Sequence, residues 1–224
     1  MDVREIGRFK PFVRALERFN RTFWWNHNDH YHKWILRRTP RRPGPMTVLD
    51  VGCGRGDLVD RFRERNLEVT GIDPDPEMAR IAGSRFAGAQ TVTIHDSAFE
   101  QVHQPFDVIT MVASLHHQPL TDAFTHAHKL LKPNGRLLIV GLAKPQSMTD
   151  LVYDVVSSAL NPLVALTKRL RGNSERPPEV PMRDPDETFG EIATVARRLL
   201  PGVKIRRRLF FRYTLEWAKP VTDP

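Results

Sequence analysis

The sequence has only one cysteine, Cys53, in 224 residues, and it has no apolar run long enough to cross a bilayer. A lone cysteine cannot form a disulfide within the chain, which excludes the disulfide-stapled secreted classes. A membrane-spanning helix requires about 20 apolar residues, and the charged start MDVREIGRFKPFVR lacks the apolar core of a secretory signal. We therefore expect a soluble cytoplasmic protein with one main domain.

Acidic residues are scarce at both ends of the chain. Residues 1–44 carry a net charge of +7 and residues 197–224 carry +6, whereas the residues between them carry −5. Basic ends suit an anionic partner such as nucleic acid, a membrane surface or an acidic substrate. They are equally compatible with solvated charge that has no partner.

Short apolar runs alternate with helical periodicity from residue 46 onward. The pattern predicts strands at 47–51, 67–72, 90–95, 106–112 and 135–142, and helices at 57–65, 76–85 and 120–131. Strict alternation of this kind favours a parallel sheet with right-handed crossovers. The predicted class is therefore a doubly wound α/β fold.

The segments on either side of this core also predict helices and strands. Helical periodicity runs over residues 3–37 up to the linker RRTPRRPGP, and again over 147–170. Asp184 and Pro185 predict the start of a helix over 187–200, and PGVKIRRRLFFRYTLEWAKP predicts a hairpin of two strands. We expect an N-terminal helical cap over 1–44 and a domain over 45–224 with a helical insert at 146–183.

A glycine-rich turn, LDVGCGRGDL, follows the first predicted strand. Ligands of doubly wound sheets bind beyond the carboxyl ends of the strands, and Gly52, Gly54 and Gly56 let the backbone approach a ligand there. Asp73 ends the second strand, where an acid accepts hydrogen bonds from ribose hydroxyls. The G-x-G-x-G spacing differs from the dinucleotide fingerprint, and Asp50 beside the loop suits a cationic ligand better than a pyrophosphate.

Five stretches together resemble one known family. VLDVGCGRG, GIDPDPEM, IHDSAF, FDVITMVASLHH and LLKPNGRLLIV look like the successive motifs of class I S-adenosylmethionine-dependent methyltransferases, over roughly residues 46–142. Their order, with NHNDHYHKWILRR before them, is most similar to the small-molecule, ubiquinone-biosynthesis-like (type 11) group. The resemblance implies a Rossmann-like seven-stranded sheet, mostly parallel with the last strand antiparallel, and S-adenosylmethionine as cofactor.

The resemblance also implies a cofactor site. It places Asp50 and the loop 52–56 around the methionine moiety, Asp73 on the ribose, Asp96 with Ser97 near the adenine, and 112–115 on the methyl-donor side. Asp96 has a second interpretation, as a cap of the next turn. We further expect the N-terminal helix to cover the pocket, with Tyr31 or His30 at the methionine end. The cofactor-binding residues are thus predicted to be Asp50, Gly52, Cys53, Gly54, Gly56, Asp73, Pro74, Asp96, Ser97, Val112, Leu115 and Tyr31.

Two groups of histidines suggest chemistry. His116 and His117 follow the fourth strand, where a histidine could take a proton from the methyl acceptor. A role in shaping the pocket is equally compatible, because methyl transfer gains much of its rate from alignment. The cluster of His27, Asp29, His30 and His32 has metal-ligand residue types. His30 and His32 lie on different faces of a helix, so we expect no metal site.

These patterns predict methyl transfer from S-adenosylmethionine to an O, N or C atom of a small, hydrophobic acceptor, by a monomer or homodimer. One alternative is a nucleic-acid methyltransferase. Against it, ASLHHQP lacks the Asn/Asp-Pro-Pro-aromatic loop associated with base-amine methylation, so nucleic acid is not the expected partner. The other alternative is a cofactor-binding protein without catalysis. Peripheral contact with a membrane stays open.

Overall fold

The computed structural model describes residues 27–145, 157, 185–209 and 212–221. The strands are β1 (Thr47–Val51), β2 (Glu68–Asp73), β3 (Val92–Asp96), β4 (Phe106–Val112), β5 (Leu131–Gly141), β6 (Lys204–Arg208) and β7 (Arg212–Ala218). The helices are α1 (His27–Arg38), α2 (Asp57–Arg63), α3 (Pro76–Arg85), α4 (Leu120–Leu130) and α5 (Phe189–Leu199). Short 3₁₀ turns lie at Phe99–Gln101 and Leu115–His117.

The seven strands form one sheet in the order β3-β2-β1-β4-β5-β7-β6. Strands β1 to β5 pair in parallel, and β7 pairs antiparallel with both β5 and β6. The predicted doubly wound sheet with an antiparallel last strand is confirmed. Because the chain reverses its direction of winding between β1 and β4, a crevice is expected at the carboxyl ends of these two strands.

Alternate side chains of the central strands pack into two separate hydrophobic cores, one on each face of the sheet. Leu49, Ile109 and Leu137 point into a core with α4 and α5, whereas their neighbours Val48 and Val108 point into a core with α1 and α2. All five side chains are fully buried. This alternation follows from the two-residue period of a strand, and it places helices on both faces of the sheet.

Helix α1 packs directly on the sheet and contributes to its core. Tyr31 and Ile35 are buried in the same core as Val48. At its far end, Arg38 forms an ion pair with Glu216 of β7 at 2.7 Å. The part of the predicted N-terminal cap that the structure describes is therefore an integral layer over β5 and β7. Residues 1–26 and almost all of the predicted insert at 146–183 lie outside the described residues.

Two predicted element starts differ from the structure for reasons that the contacts show. Strand β5 begins at Leu131, four residues before the predicted start, because Leu131 pairs with Phe106 across an irregularity in the ladder. Helix α5 begins at Phe189, and its cap is Thr188 rather than Asp184 and Pro185. Thr188 and Glu191 form a reciprocal capping box, which satisfies amide groups at the helix start.

None of the helices described is both long and apolar enough to cross a bilayer.

Candidate functional site

The loop after β1 is folded back onto β2. The main-chain N–H groups of Gly52 and Cys53 both donate to the carbonyl of Ile72, at 2.8 and 2.9 Å. The N–H of Gly56 then donates to the carbonyl of Cys53 at 2.9 Å, directly before α2 begins. The loop is therefore held in a fixed shape at the carboxyl edge of the sheet, beside the reversal between β1 and β4.

The glycines of this loop have different surroundings. A Cβ atom on Gly56 would lie 2.4 Å from the ring of Phe86, so a neighbouring side chain fills the space beside it. Gly54, at φ +54°, has no atom within 4 Å of the position that a Cβ would take. Gly54 therefore faces open space at the edge of the sheet, which leaves room for a ligand against the bare backbone.

Asp73, the last residue of β2, lies directly beside Gly54. Its carboxylate accepts hydrogen bonds from the main-chain N–H groups of Gly54 at 2.7 Å and Asp75 at 3.0 Å, one on each oxygen. A carboxylate has about four acceptor positions, so about two remain for other donors. Burial raises the pKa of Asp73, although these two hydrogen bonds and the nearby His117 oppose the rise.

Asp50 is a second buried acid beside the loop. It is 3 % exposed, and it accepts a hydrogen bond from the hydroxyl of Thr110 at 2.7 Å. The contact follows from the register, because Asp50 on β1 pairs with Thr110 on β4. Burial raises the pKa of Asp50 to about 7, against the hydrogen bond from Thr110 and with a further contribution from the charge of Asp73.

The two acids make the site electrostatically suited to a cationic ligand. Within the described part of the chain, no Lys or Arg side chain forms an ion pair with Asp50 or Asp73. Buried carboxylates without a paired cation are costly in their charged form, and a bound positive group would offset that cost.

Cys53 packs rather than reacts. Its thiol is buried, and its sulfur lies 3.1 Å from the position that a Cβ on Gly71 would take. Burial raises the pKa of the thiol, and the charges of Asp50 and Asp73 raise it further. A thiol with a raised pKa is a poor nucleophile at neutral pH.

The predicted adenine-side residues lie at the same edge. Asp96 ends β3 opposite Asp73 in the strand register and is exposed, as is Pro74. The N–H of Ser97 donates to the carbonyl of Asp73 at 3.3 Å. Among the described contacts, the carboxylate of Asp96 accepts no hydrogen bond from the next turn, whose cap position is Ala98, so its second interpretation as a cap finds no support.

Val112, the last residue of β4, and Leu115, the first residue of the 3₁₀ turn that follows, differ in burial. Val112 is half-buried, whereas Leu115 is 1 % exposed and belongs to the core beneath α4. The side chain of Leu115 is therefore occupied in packing. Its place on the methyl-donor side stays a prediction.

His116 and His117 lie together in the 3₁₀ turn that follows β4. Their ring centroids are 4.1 Å apart, and the rings are tilted by 38°. His117 is exposed, whereas His116 is half-buried with its Nδ1 shielded from solvent. His117 also lies close enough to Asp73 to favour a lower pKa of that carboxyl. Both histidines are thus at the mouth of the candidate site.

Tyr31 has a partner that the sequence did not indicate. Its hydroxyl donates to the main-chain carbonyl of Leu209 at 2.6 Å, at the turn between β6 and β7. Nearby, Arg212 donates to the Oδ1 of Asn28 through Nη2 at 3.0 Å. The start of α1 is therefore attached to the terminal hairpin. Contact of Tyr31 with a cofactor stays a prediction, and its hydroxyl is already committed to Leu209.

Three supporting residues were missed by the sequence reasoning. Thr110 holds Asp50, Phe86 packs on Gly56, and Ser114 lies against Gly52 while its hydroxyl donates to the carbonyl of Val51 at 2.6 Å. Thr110 could have been singled out from the sequence, since it is a polar residue within an otherwise apolar part of a strand. Phe86 and Ser114 act through packing between distant segments, which sequence periodicity cannot show.

Within the described residues, no three His, Cys, Asp or Glu side chains come together as a metal site would require. His30 is exposed, and His32 is 8 % exposed.

Comparison with known proteins agrees with this geometry. The model of a family described as "Methyltransferase domain" matches residues 23–176. An uncharacterised methyltransferase of Mycobacterium tuberculosis is 33 % identical over 201 residues, which cover 88 % of this chain and 98 % of that protein. The chain belongs to the methyltransferase family.

More distant relatives of this methyltransferase carry more specific names. A ubiquinone biosynthesis O-methyltransferase of Idiomarina loihiensis is 36 % identical over 154 residues, which cover 61 % of this chain and 59 % of that protein. The crystal structure of magnesium protoporphyrin IX methyltransferase from Synechocystis with bound S-adenosylmethionine superposes with a TM-score of 0.54 at 17 % identity, covering 91 % of this chain and 83 % of that one. At 17 % identity, the similarity to this crystal structure shows a shared fold and nothing more specific.

Proposed function

We propose that this methyltransferase transfers a methyl group from S-adenosylmethionine to an O, N or C atom of a small, hydrophobic acceptor. The proposal depends above all on one observation, which is that Gly54 presents open backbone directly beside the buried carboxylate of Asp73. A relative named for O-methylation and a fold neighbour with bound S-adenosylmethionine support it.

The residues at the carboxyl edge fit this cofactor. S-adenosylmethionine carries a positive amino group, a positive sulfonium and a ribose diol, and when bound it supplies the methyl group. Asp73 has acceptor positions for ribose hydroxyls, and Asp50 supplies negative charge on the methionine side. Gly52, Gly54 and the exposed Asp96 complete the proposed contacts, with Asp96 near the adenine.

The chain contributes to the transfer itself mainly by alignment. A methyl group on a sulfonium is already activated, so holding the acceptor atom in line supplies much of the rate enhancement. We assign His117 as a base where the acceptor must lose a proton, because it is exposed at the mouth next to Asp73. His116 supports it through the ring contact.

Turnover with labelled cofactor tests the proposal. The full chain is incubated with methyl-labelled S-adenosylmethionine and a panel of hydrophobic phenols, quinols, amines and carbon acids, and products are identified by mass spectrometry. We expect methylation of at least one hydrophobic acceptor. Tight cofactor binding with no turnover on any member would favour the non-catalytic alternative and contradict the proposal.

The role of the histidine is tested separately. With the best acceptor, His117→Asn should lower kcat by about 100-fold with little change in KM, because the loss falls on the chemical step. His103→Asn is the matched control, since His103 is also exposed but lies between the 3₁₀ turn Phe99–Gln101 and β4. A loss of less than tenfold in His117→Asn would restrict this histidine to shaping the pocket.

A further inference from the structure

Two arginines lie opposite each other on neighbouring strands at the carboxyl edge of the sheet. Arg208 ends β6 and pairs with Arg212, the first residue of β7. Arg212 lies just beyond the register pair of Gly141 with Tyr213, so the two arginines are next to the end of β5. Like charges directly opposite each other destabilise a sheet, so this pair has a cost that needs an explanation.

Both side chains point to the face of the sheet that carries α1. Arg212 donates to the Oδ1 of Asn28 on α1, through Nε at 3.3 Å and through Nη2 at 3.0 Å. Directly opposed residues project from the same face of a sheet, so Arg208 lies on this side too. Its Nε donates at 3.0 Å to the hydroxyl of Thr214, which is two residues beyond Arg212 and therefore on the same face. Neutral oxygen atoms thus orient both guanidinium groups.

The two charges are partly withdrawn from water. Arg208 and Arg212 are half-buried, and both lie close to the phenol of Tyr31. Burial raises the pKa of Tyr31 to about 12, and the charges of Arg212 and Arg208 oppose the rise. Burial also lowers the pKa of Arg212 to about 10, which still leaves it charged at neutral pH. A charge that has lost solvent is stabilised by a bound ion of opposite sign.

Arg208 has donors for such an ion. A guanidinium group carries five N–H donors, and the Nε of Arg208 is used by Thr214. Among the described contacts, the four N–H donors on its Nη atoms meet no acceptor, and no carboxylate forms an ion pair with it. These four donors have the fork geometry that binds a carboxylate or a phosphate through two parallel hydrogen bonds.

Protection of an edge strand does not account for this pair. Strand β6 is at the end of the sheet, and exposed cations on an edge discourage aggregation. Lys204 and Arg206 are exposed and suit that role, whereas Arg208 is half-buried. Arg212 lies on β7, which is paired on both sides. Exposed cations elsewhere, such as Arg41, keep their water and need no ligand.

The register relates this pair to the end of β4. Val112, the last residue of β4, lies in one row across the sheet with Val140 and Thr214. Arg212 lies one alternate residue nearer the carboxyl edge. Val112 is half-buried and packs on the core beneath α1, so it offers apolar surface on the same face. Strands β7 and β6 are the second and third from β4, and neighbouring strands are about 4.8 Å apart, so the two arginines lie roughly 10–15 Å across the sheet from β4.

We propose that Arg208 and Arg212 bind an anionic group, a carboxylate or a phosphate, at one end of the methyl acceptor. The acceptor is then an apolar molecule with one charged end. It lies along the carboxyl edge of the sheet, with its reacting atom near His117, which follows β4. The assignment of the anion to the acceptor rests on the proposed methyl transfer, whereas the binding of an anion by the two arginines does not.

Titration calorimetry without cofactor tests the anion site. The full chain is titrated with octanoate, octyl phosphate and the neutral octanamide, which share an apolar chain. We expect at least one of the two anions to bind at least tenfold more tightly than octanamide, and the tighter one identifies the charged group of the acceptor. Arg208→Gln should bind that anion at least tenfold more weakly. Its melting temperature should equal or exceed that of the wild type, because the variant removes one of two opposed like charges.

The matched control is Arg206→Gln, which removes the same charge two residues away on the same strand and the same face. It should keep most of its affinity for the anion. Equal loss in both variants would mean that net charge, rather than the pair of arginines, attracts the anion, and would overturn the proposal. Equal affinity of the wild type for octanamide and both anions would overturn it too, as would unchanged anion affinity in Arg208→Gln.

Turnover then tests the assignment to the acceptor. For an acceptor with an anionic end, Arg208→Gln should raise KM at least tenfold and leave kcat nearly unchanged, while the neutral amide of the same acceptor should be unaffected. Anion binding without turnover on any acceptor would contradict the methyl transfer and leave the anion site standing. Turnover with the same KM for the anionic and the neutral acceptor would contradict the assignment.

Discussion

The hydroxyl of Tyr31 donates a 2.6 Å hydrogen bond to the main-chain carbonyl of Leu209, which follows it by 178 residues. The bond joins the start of α1 to the terminal hairpin at the edge of the sheet that carries the glycine loop. Arg212 and Asn28 add a second contact between the same two segments. The two ends of the described chain therefore support each other beside the candidate site.

Removing this bond should weaken the protein. Tyr31→Phe leaves the ring in the core but removes the donor, so we expect the free energy of unfolding to fall by about 1 kcal/mol. Urea denaturation measures the change. Thr194→Val is a suitable control, since its hydroxyl also donates to a main-chain carbonyl but is exposed on α5. A Tyr31→Phe variant as stable as the wild type would show that the contact contributes nothing.

Two neighbouring glycines should respond differently to the same change. Gly54→Ala places a methyl group in open space, so its stability cost should be limited to about 1 kcal/mol of left-handed backbone strain. Its methyl would occupy the proposed ligand volume, and we expect cofactor affinity to fall at least tenfold. Calorimetric titration and denaturation measure the two effects. Unchanged cofactor affinity would place the ligand away from Gly54.

Gly56→Ala should mainly destabilise the protein. It combines φ +80° with a methyl 2.4 Å from Phe86, and overpacking adds about 1–3 kcal/mol to the backbone strain. Thermal denaturation should therefore show a larger loss than in Gly54→Ala. Adding Phe86→Leu should recover part of the loss, because a smaller side chain relieves the contact. A double variant whose losses simply add would contradict the packing explanation.

The pH dependence of stability should identify Asp50. Its pKa is about 7 in the folded protein and about 3.9 in an unfolded chain, so between these values the folded state binds the extra proton. The contribution of Asp50 to stability is thus present below about pH 4 and is lost as the pH rises to about 7. Asp50→Asn should remove this loss and gain stability relative to the wild type across that window. If the free energy of unfolding changed by the same amount between pH 5 and pH 8 in both proteins, this prediction would be contradicted.

Cofactor binding should also release a proton from Asp50. A cationic ligand favours the charged carboxylate, so binding near pH 6.5 should expel part of a proton that the buried acid held. Titrations in two buffers with different ionisation enthalpies count the protons released. Asp50→Asn should bind without this release. A wild type that binds without proton release would mean that the ligand's positive groups lie elsewhere.

Local sequence patterns predicted the layers of this fold well. Strands β1 and β4 have the predicted bounds because each is a continuous apolar run between clear breaks. Strand β5 was predicted to start too late, since Pro133 and Asn134 indicate a turn locally. Its first residue, Leu131, is defined by pairing with Phe106 on another strand. Pairing between distant strands leaves no local signal.

The candidate site was predictable to a similar extent. The glycines follow β1, Asp50 lies near the end of β1 and Asp73 ends β2, so strand order alone brings them to one edge of the sheet. The sequence could not show that Gly54 binds Asp73 directly, or that Phe86 fills the space beside Gly56. It also gave no indication that the hydroxyl of Tyr31 is held by the hairpin, because that contact depends on how α1 lies over β7.

Titration calorimetry with S-adenosylmethionine and S-adenosylhomocysteine tests the central claim most directly, using wild type, Asp73→Asn and the exposed control Glu100→Gln. We predict micromolar binding of both ligands to the wild type and the control. Asp73→Asn should bind at least tenfold more weakly, a loss of about 1.4 kcal/mol, while denaturation shows it folded. No binding to the wild type, or unchanged affinity in a folded Asp73→Asn variant, would contradict the proposed site.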